Sequence, residues 1–574
     1  MIEVTGRSFH GRTTVWTGPG FILQTPSILF VKSQGYELPP YSEAWIEEQR
    51  NLEHTISIWQ RSGKVADLPI RIFPPMSLKK DMDPVEIDSS LDISTVKLDD
   101  GEVAILPFSF ELRRDARAFI ESIKKARRQV GFARLIYAPG IMDLSNLALL
   151  IYMGVDLLDS SLLEYYSARM VLSRPEGTIM AQEAPWSELR KDAQRVREAN
   201  LRAAWEELQL VRHMIRIGRL RELVEIRANA TPWGVAALRL FDLEGYEHQE
   251  IQAQLTGPRF YANSKQSLQR PDIIRWRRRV MERWRPAPHK KVLLLLPCSA
   301  KKPYFTSKSH KAFREALLQV PNHEVVQELI VTSPLGIVPR ELELFYPAAQ
   351  YEIPVTGHWD LDEQNMVQEM VSAVISKGFE KVVCHLGHGY DFLRKKLDTI
   401  ETCQGNPTSR ASLEKLVNEL SSICPHYVKP AKGEDRVSAL TSAALFQFGE
   451  GGERLTAGCL ITGNYPYSKI MHGGTQMGIL TPERGMISLT LEGAERLSDL
   501  GVNWVEMEDF DLKGNLFAVG IKSAHEGLRI GDEAIVFRNG RLEGVGVAVM
   551  SGIEMVQMKK GEAVRIRHKR RTKD

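Results

Sequence analysis

The first 110 residues alternate short apolar runs with glycine and proline turns. The runs include residues 14–31 (TVWTGPGFILQTPSILFV), 68–75 (LPIRIFPP) and 101–110 (GEVAILPFSF). Short β-branched and aromatic runs bounded by such turns are typical of strands. From Arg114 to Gly131 the apolar residues recur with a helical period instead. The pattern predicts a strand-rich region followed by a helix.

Residues 135–161 (LIYAPGIMDLSNLALLIYMGVDLLDSS) combine two kinds of pattern. A strand ends at a Pro-Gly pair, a helix begins at a cap formed by Asp143 or Ser145, and a second strand follows. Because parallel strands need a helical crossover between them, this predicts a β-α-β unit with a parallel strand pair. A charged helical stretch over residues 186–227 is broken near Gly218.

Residues 288–430 repeat a strand pattern followed by a helix pattern, which predicts a three-layer α/β domain. Five apolar residues, Val292–Leu296, predict a buried central strand of a parallel sheet, and a helix is expected to open near Ser309. Polar segments follow this strand and two later ones, at residues 332–336 and 384–389. Since ligands bind beyond the carboxyl ends of strands in open α/β sheets, the three segments should converge on one pocket.

The C-terminal quarter of the sequence contains two further patterns. Residues 437–500 end in a short helical segment, LEGAERLSDL. From about Val502 short strands alternate with turns at the pairs 513–514, 531–532 and 539–540, which predicts a small β-barrel.

The polar loop PCSAKKPYFTSKSH, residues 297–310, holds the most promising chemistry. Cys298 is a candidate nucleophile and His310 a candidate proton carrier, both close behind a buried strand. The alternative interpretation is a solvated basic loop with a half-buried cysteine, since lysines usually lie on surfaces.

Composition narrows the class of protein. A chain of 574 residues with 43% hydrophobic and 26% charged residues is expected to hold several globular domains. No apolar run approaches the length of a membrane span, and the first residues lack the apolar core of a signal peptide. The five cysteines show no CxxC spacing, which favours a reducing cytoplasm and excludes a cysteine-based zinc site.

Basic residues gather in two places, residues 270–291 and 565–573, although the net charge is only +3. Such clusters can follow a phosphate backbone, and the interleaved Trp276 and Trp284 could stack on unpaired bases. The alternative for the first cluster is an amphipathic helix that buries its tryptophans. The candidate RNA contacts in the two clusters are Arg275, Arg279, Arg565, Arg567 and Lys569.

The N-terminal strings GRSFHGRTTVWT (6–17) and residues 135–161 resemble segments of archaeal tRNA-guanine transglycosylases, and the helix over 187–227 resembles that family's post-barrel segment. The family's catalytic Asp-Ser-Gly-Ala-Phe string is absent, and its second catalytic aspartate has no counterpart. MAQEAPWSELR (180–190) stands where its zinc-binding cysteines belong. The resemblance therefore implies a degenerate TIM-barrel-like domain without base exchange, kept for shape or RNA contact.

The strings PCSAKKPYFTSKSH, TSPLGIVPRELE and YPAAQYEIPVTGHWD resemble the signature domain of archaeosine synthases, tRNA-modifying paralogues of the transglycosylases. That domain is similar to uracil-DNA glycosylase-like α/β folds. Residues 502–570 resemble a PUA domain, an RNA-binding barrel. The resemblance thus implies a multidomain α/β and α+β protein. Its expected domains are transglycosylase-like (1–285), signature α/β (286–432), small α+β (433–500) and PUA (501–574).

The resemblance also implies a substrate and a reaction. The substrate would be tRNA carrying 7-cyano-7-deazaguanine (preQ0) at position 15 of its D-loop, and the reaction adds an amine to the nitrile without ATP. Free lysine is the favoured donor, giving an adduct that a separate radical-SAM partner cleaves; glutamine or ammonia is the alternative. No cofactor is expected, and transglycosylase relatives suggest a homodimer. The competing class is a non-catalytic tRNA-binding scaffold.

In this interpretation Cys298 adds to the nitrile to form a thioimidate, and Lys301 and Lys302 favour its thiolate. Direct attack by the amine, without a covalent step, is the alternative. His310 or His388 would move the proton. The candidate contacts to the base or the donor are Ser299, Tyr304, Ser307, Ser309, Ser333, Gly336 and Asp360, with Glu343 and His358 as further candidates.

Overall fold

The apolar runs of the sequence form the inner strands and helices of two units. The computed structural model describes residues 1–32, 37–49, 55–69, 102–106, 109–184, 192–394 and 396–570. The first unit comprises Met1–Ala253, Phe517–Val519 and Ile553–Glu562. The second comprises Gln254–Leu516, Gly520–Gly552 and Ala563–Asp574.

Among the described residues of 1–253, the strands form two sheets and a hairpin. They are β1 (Ile2–Ser8), β2 (Gly11–Gly18), β3 (Phe21–Thr25), β4 (Ser27–Val31), β5 (Ala44–Gln49), β6 (Thr55–Gln60), β7 (Gly63–Pro69), β8 (Val103–Ile105), β9 (Leu135–Tyr137), β10 (Leu157–Asp159), β11 (Val171–Arg174) and β12 (Gly177–Met180). Strands β1–β3 form an antiparallel sheet, and β11 pairs with β12. The remaining strands form one sheet in the order β7-β6-β5-β4-β10-β9-β8.

Within the described ranges this seven-stranded sheet is open, with β7 and β8 at its edges. Its strands from β8 to β5 are parallel, whereas β6 and β7 return antiparallel. Of the expected TIM-barrel-like fold, the described residues therefore show the parallel strands and the helices that cover them. Most of the strand predicted over residues 68–75 lies outside the described residues.

Helices cover one face of that sheet. They are α1 (Ala116–Val130), α2 (Leu147–Tyr152), α3 (Ser161–Ala168), α4 (Ala193–Arg216), α5 (Leu220–Ala228), α6 (Pro232–Glu244) and α7 (Tyr246–Glu250). Buried Phe119, Tyr152 and Phe241 belong to the core on this face. The predicted β-α-β unit is confirmed, since β9 and β10 pair in parallel across α2. The predicted helix break is also confirmed, because Gly218, with a φ of 71°, lies between α4 and α5.

The middle of the chain forms a second parallel sheet. Its elements are β13 (Phe260–Tyr261), α8 (Pro271–Glu282), β14 (Val292–Pro297), α9 (Lys308–Leu317), β15 (Val326–Thr332), β16 (Gly336–Pro339), β17 (Tyr351–Glu352), α10 (Leu361–Ile375), β18 (Lys381–Cys384), α11 (Asp391–Arg394), β19 (Ile400–Glu401) and α12 (Arg410–Ile423). The sheet order is β16-β15-β14-β18-β19, with β16 antiparallel at one edge.

The prediction of a central buried strand is confirmed by β14, which pairs in parallel with β15 and β18. Its alternate side chains enter different cores, because successive residues of a strand point to opposite faces. Leu293 and Leu295 pack with Trp276 of α8, whereas Leu294 and Leu296 pack with Phe313 of α9. Helices thus lie on both faces, as expected for a three-layer α/β arrangement.

The remaining elements lie in the C-terminal quarter of the chain, most of them in the second unit. They are α13 (Glu434–Phe448), β20 (Leu460–Thr462), β21 (Ser468–His472), β22 (Thr475–Thr481), β23 (Met486–Leu489), α14 (Leu491–Glu495), β24 (Trp504–Met507), β25 (Leu516–Phe517), β26 (Ile521–Ala524), β27 (Glu533–Arg538), β28 (Arg541–Ala548), α15 (Gly552–Gln557) and β29 (Glu562–Lys569). Strands β20–β23 form one sheet, and the last six strands form another in the order β25-β29-β28-β27-β24-β26. Among the helices so described, none is long and apolar enough to cross a membrane.

Candidate active site

A cavity of about 510 Å³ lies where the strands of the middle sheet end. Strands β14, β15 and β18 are parallel, so their carboxyl ends meet at one edge of the sheet. The cavity is lined by Pro297, Cys298, Ser309, Phe313, Ser333, Ile353, Pro354, Val355, Thr356, Gly357, His358, Trp359, Glu363, Gly387, His388, Tyr390, Gly405, Asn406, Pro407 and Thr408. A volume of this size fits a nucleobase or another small molecule. The predicted convergence of three strand ends is therefore confirmed.

Cys298 is the one cysteine among the residues that line this cavity. It follows directly on β14, it is half-buried, and its thiol forms no disulfide. The hydroxyl of Tyr390 lies 3.9 Å from its Sγ and donates a hydrogen bond to it. Burial, with the neighbouring Cys298 thiol, raises the pKa of Tyr390 well above its ordinary value, so this hydroxyl stays protonated and remains a donor. A hydrogen-bonded sulfur at a cavity wall is suited to act as a nucleophile.

A buried cation lies close behind the cysteine. Lys302 is 7% exposed, and its Nζ lies 4.0 Å from the ring centroid of Tyr351. Burial lowers the pKa of Lys302, and the nearby Cys298 acts in the opposite direction. Tyr351 in turn shares a hydrogen bond of 2.5 Å with Thr332 Oγ1 and a further one with the Tyr304 hydroxyl. Lys302 thus lies near enough to Cys298 for the two groups to interact electrostatically.

The segment that follows the second strand, β15, holds the carboxylate of Glu363 in place. Ser333 follows β15, and its hydroxyl donates to Glu363 Oε1 at 2.5 Å. The other oxygen of Glu363 accepts from the backbone amide of Asp360 at 2.9 Å. The third strand end contributes His388, which is exposed and lines the same cavity. The predicted site residues that the fold brings to this cavity are Cys298, Ser309, Ser333, His358 and His388.

His310 lines a different cavity, of about 620 Å³. Its Nδ1 accepts a hydrogen bond of 2.8 Å from the Arg340 guanidinium. Burial, and then the charge of Arg340, lower the pKa of His310 to about 2. The imidazole is therefore neutral at physiological pH and is held by Arg340, which does not suit the expected proton-carrier role. Glu343 also lies in this second cavity, where Arg340 and the Tyr465 hydroxyl contact it.

Several other predicted contacts have local structural roles. The hydroxyl of Ser307 caps α9 by accepting from the His310 amide, and Asp360 caps α10 by accepting from the Glu363 amide. Tyr304 is fully buried, so its ring is not available to stack on a base. Gly336 has a φ of 79°, and a side chain there would meet Met370. Ser299 is half-buried and Lys301 exposed, and neither is among the cavity-lining residues.

The first basic cluster is an amphipathic helix. Trp276 in α8 and Trp284 just beyond it are 1% and 0% exposed, so neither can stack on a base. Trp276 donates its indole N–H to the Ile337 carbonyl. Arg275 is 4% exposed and donates to the Gln254 carbonyl, whereas Arg279 is half-buried. The structure corrects the stacking hypothesis, because core packing occupies the aromatic faces.

The second basic cluster lies on β29. Arg565 and Lys569 are exposed, and Lys569 donates to the carbonyls of Leu512 and Lys513. Arg567 instead forms an ion pair with the buried Glu533. The first two residues are therefore positioned to contact a polyanion, while Arg567 is engaged within the fold. Residues 571–574 of this cluster lie outside the described residues.

Asp159, at the end of β10, and Asp143, in the loop between β9 and α2, both accept several hydrogen bonds. Asp159 Oδ2 accepts from the Tyr137 hydroxyl and the Gly140 amide, and its Oδ1 accepts from Ser161. Asp143 accepts from Ser145 and from the Arg113 guanidinium. Carboxylates that accept hydrogen bonds in this way hold loops in place. Whether this domain exchanges bases is not tested by these contacts, so the absence of base exchange stays a prediction.

Sequence reasoning missed three side chains of the cavity. Tyr390 lies six residues beyond the end of β18, Glu363 lies in the first turn of α10, and Trp359 precedes that helix. Trp359 packs against Tyr390 with ring centroids 5.2 Å apart. The Asp-x-x-Glu spacing at 360–363 is typical of a helix start, and it gave no sign that Glu363 also lines the cavity. Among the described residues, no group of His, Cys, Asp and Glu is arranged to hold a metal ion.

Similarity to known proteins agrees with this architecture. A family model described as Domain of unknown function (DUF5591) matches residues 273–420, which include the cavity, and the PUA domain model matches residues 506–570. The fold and site thus define a multidomain α/β protein with a cysteine-centred cavity and a C-terminal PUA domain.

The full-length relatives specify the family. The archaeosine synthase subunit alpha of Methanosarcina acetivorans is 33% identical, over 91% of this chain and 91% of that protein. The subunit of the same name from Thermoplasma acidophilum is 30% identical, over 82% of this chain and 88% of its own length. The chain belongs to the archaeosine synthase family. A tRNA-guanine(15) transglycosylase of Methanobrevibacter smithii is a more distant relative, 28% identical over 73% of this chain and 64% of that protein.

Proposed function

We propose that this protein is a tRNA-modifying enzyme of archaeosine biosynthesis that adds an amine to the nitrile of preQ0 in tRNA. The observation that carries the proposal is the half-buried thiol of Cys298, held at the end of β14 in a base-sized cavity and hydrogen-bonded by Tyr390. Membership of the archaeosine synthase family and the PUA domain support tRNA as the substrate.

The proposed chemistry is an addition without oxidation or reduction. The Cys298 thiolate attacks the nitrile carbon, so that one S–C bond forms and the C≡N triple bond becomes a C=N double bond in a thioimidate. The nitrile nitrogen takes up one proton. An amine then attacks the same carbon, loses a proton, and expels the thiolate to leave an amidine. The sum is the addition of one N–H bond across the nitrile, which needs no ATP.

Three side chains support the charged stages of this reaction. Lys302 favours the thiolate that begins it, and the protonated hydroxyl of Tyr390 stabilises the sulfur as it attacks and leaves. His388, which lines the cavity and is open to water, is our candidate to exchange protons with the nitrile nitrogen and the incoming amine. We assign no proton transfer to His310, because its ring is neutral and bound to Arg340.

Free lysine is the donor we favour, and glutamine is the alternative. Either amine would enter by the exposed loop of residues 354–358, which forms part of the cavity wall. The resulting lysine adduct would need a second enzyme to cleave it, and the name "subunit alpha" carried by the relatives is consistent with a partner subunit.

The test is to incubate the purified chain with preQ0-containing tRNA and either lysine or glutamine, digest the tRNA, and weigh the nucleosides. The wild-type protein should form an amidine or its lysine adduct with one of the donors. Cys298→Ala should lower this rate by at least about 100-fold, since it removes the nucleophile. The control Cys459→Ala, in the small α+β region, should retain the rate.

Supplying preQ0-tRNA without a donor tests the covalent step. A protein–tRNA adduct should accumulate with wild type and be absent with Cys298→Ala. Full activity of the alanine variant would show that the amine attacks directly. If neither donor gave a product although tRNA bound tightly, the protein would be a non-catalytic tRNA-binding scaffold.

A further inference from the structure

The cavity contains a second functional group besides the thiol, the carboxylate of Glu363. Glu363 lies in the first turn of α10, and both of its oxygens are fixed by hydrogen bonds. Oε1 accepts from Ser333 Oγ at 2.5 Å, and Oε2 accepts from the Asp360 amide at 2.9 Å. An ionised carboxylate offers about four acceptor positions, so each oxygen keeps one for a ligand. The side chain is thus oriented before any ligand binds.

We propose that Glu363 recognises the guanine-type edge of the substrate base, in which a ring N–H stands beside an exocyclic amino group. This inference rests on the proposed function and identifies the group that selects the base. Two parallel N–H donors match the two oxygens of a carboxylate in the same bidentate manner as a guanidinium does. Ser333 is the positioning residue, since its hydroxyl fixes one of those oxygens.

The same geometry excludes the other purine pattern. An adenine-type edge presents an acceptor ring nitrogen beside its amino group, and that nitrogen would face an acceptor-only carboxylate. A base that lacks the exocyclic amino group would leave one fixed oxygen unpaired in the cavity, which costs binding free energy. The specificity for the guanine-type edge therefore follows from the Glu363 carboxylate, which accepts hydrogen bonds but cannot donate them.

The rest of the cavity fits a planar ring held in this way. Trp359 and Tyr390 form an aromatic wall with ring centroids 5.2 Å apart, and Phe313 also lines the space. Aromatic walls stack on bases of any sequence, so they supply affinity and leave the choice of base to polar groups. Cys298 lines the same volume of about 510 Å³, so a base bound to Glu363 would be in one enclosure with the thiol.

The experiment measures protection of Cys298 from alkylation by iodoacetamide, followed by mass spectrometry of the peptide that contains it. The probes are free 7-cyano-7-deazaguanine and the same base without its 2-amino group. The wild-type protein should be protected by the first base and need at least about 10-fold more of the second, as expected for the loss of a hydrogen bond to a charged group. Glu363→Gln should need at least about 10-fold more of the first base and discriminate little between the two.

The matched control is Asp362→Asn, which removes an exposed carboxylate from the same turn of α10. It should behave as the wild type does, and Cys298 should be alkylated at a similar rate in all three proteins without base. Equal protection of wild type and Glu363→Gln, or equal protection by the two bases, would overturn the inference.

The result is separable from the proposed reaction. Protection that depends on Glu363, together with no amidine product in the assay with either donor, would keep the recognition site and reject the reaction. Amidine formation with an unchanged KM for preQ0-tRNA in Glu363→Gln would keep the reaction and reject the recognition site. A raised KM with a smaller change in kcat supports both.

Discussion

At the scale of single residues, the two neighbours Ser309 and His310 show how local geometry assigns roles. Successive residues of a helix point about 100° apart, so adjacent side chains reach different surroundings. Ser309 lines the cavity of Cys298, whereas His310 lines the cavity of Arg340. Burial and Arg340 then keep the imidazole neutral, with its pKa lowered to about 2. His310 is accordingly a structural acceptor within the α/β core.

This depressed pKa predicts a pH-dependent stability. The unfolded chain protonates His310 below its ordinary pKa of about 6.5, while the folded chain does not until about pH 2. Its contribution is therefore complete above about pH 6.5 and is lost as the pH falls, by about 1.4 kcal/mol per pH unit between these values. His310→Gln keeps an acceptor for Arg340 without this titration. Urea unfolding at pH 7, 6 and 5 should show a smaller loss of stability in this variant.

The control for that measurement is His472→Gln, at an exposed histidine on β21. It should lose stability with falling pH as the wild type does. His10 in the first unit, whose pKa burial lowers to about 3, adds its own acid sensitivity in all three proteins. An identical pH dependence of wild type and His310→Gln would contradict the assignment.

At the scale of elements, helix α8 shows a basic sequence serving a core. Its apolar side, with Ile273, Trp276 and Val280, is buried, whereas Arg278 on the same helix is exposed. Arg277 donates to the Pro334 and Leu268 carbonyls, and burial lowers its pKa to about 10. The helix thus supports the turn that follows β15, which carries Ser333. Its arginines contribute to the fold as well as to surface charge.

Replacement of Trp276 by alanine should therefore reduce stability. Loss of a fully buried tryptophan in a packed core typically costs about 3–5 kcal/mol, so the unfolding transition of the second unit should move to lower temperature. Arg278→Ala, on the exposed side, should change stability by no more than about 0.5 kcal/mol. Thermal unfolding followed by circular dichroism compares the two. Weaker tRNA binding by Trp276→Ala with unchanged stability would restore the stacking hypothesis.

At the scale of the whole molecule, the proposed catalytic site and the proposed RNA contacts belong to different sheets. The middle sheet carries Cys298 at a strand end, and the C-terminal sheet carries the basic strand β29. The buried Glu533 of β27 accepts hydrogen bonds from the Leu489 amide and from Arg567. Truncation before residue 502 would leave the Leu489 amide without this acceptor, so point substitutions are the better probe of RNA binding.

The double variant Arg565→Glu with Lys569→Glu should bind every tRNA more weakly, whatever the nucleotide sequence of that tRNA. Each lost phosphate contact also lowers the slope of log affinity against log salt concentration by about 1. A filter-binding titration at several salt concentrations measures both quantities. The matched control, Arg410→Glu with Lys415→Glu on α12, should keep the wild-type slope. Equal slopes for the two variants would place the RNA contacts away from β29.

The sequence by itself determined those elements whose burial follows from the pattern of consecutive apolar residues. The apolar run Val292–Leu296 predicted an inner strand, the 135–161 pattern predicted a crossover, and the helix break at Gly218 followed from one residue. The motif strings in the loops also indicated the family of the chain and predicted a pocket at Cys298. Local chemistry suffices for such features, because backbone hydrogen bonding and burial act on neighbours in the chain.

Only the tertiary structure decided which polar side chains share a cavity with Cys298. Tyr390 and Glu363 lie 92 and 65 positions further along the chain, and no spacing rule connects them to the thiol. His310, 12 positions away, is turned towards Arg340, and the tryptophans of the basic cluster are enclosed by the core. Side-chain direction depends on how separate strands and helices pack, and that packing is set by contacts between residues distant in sequence.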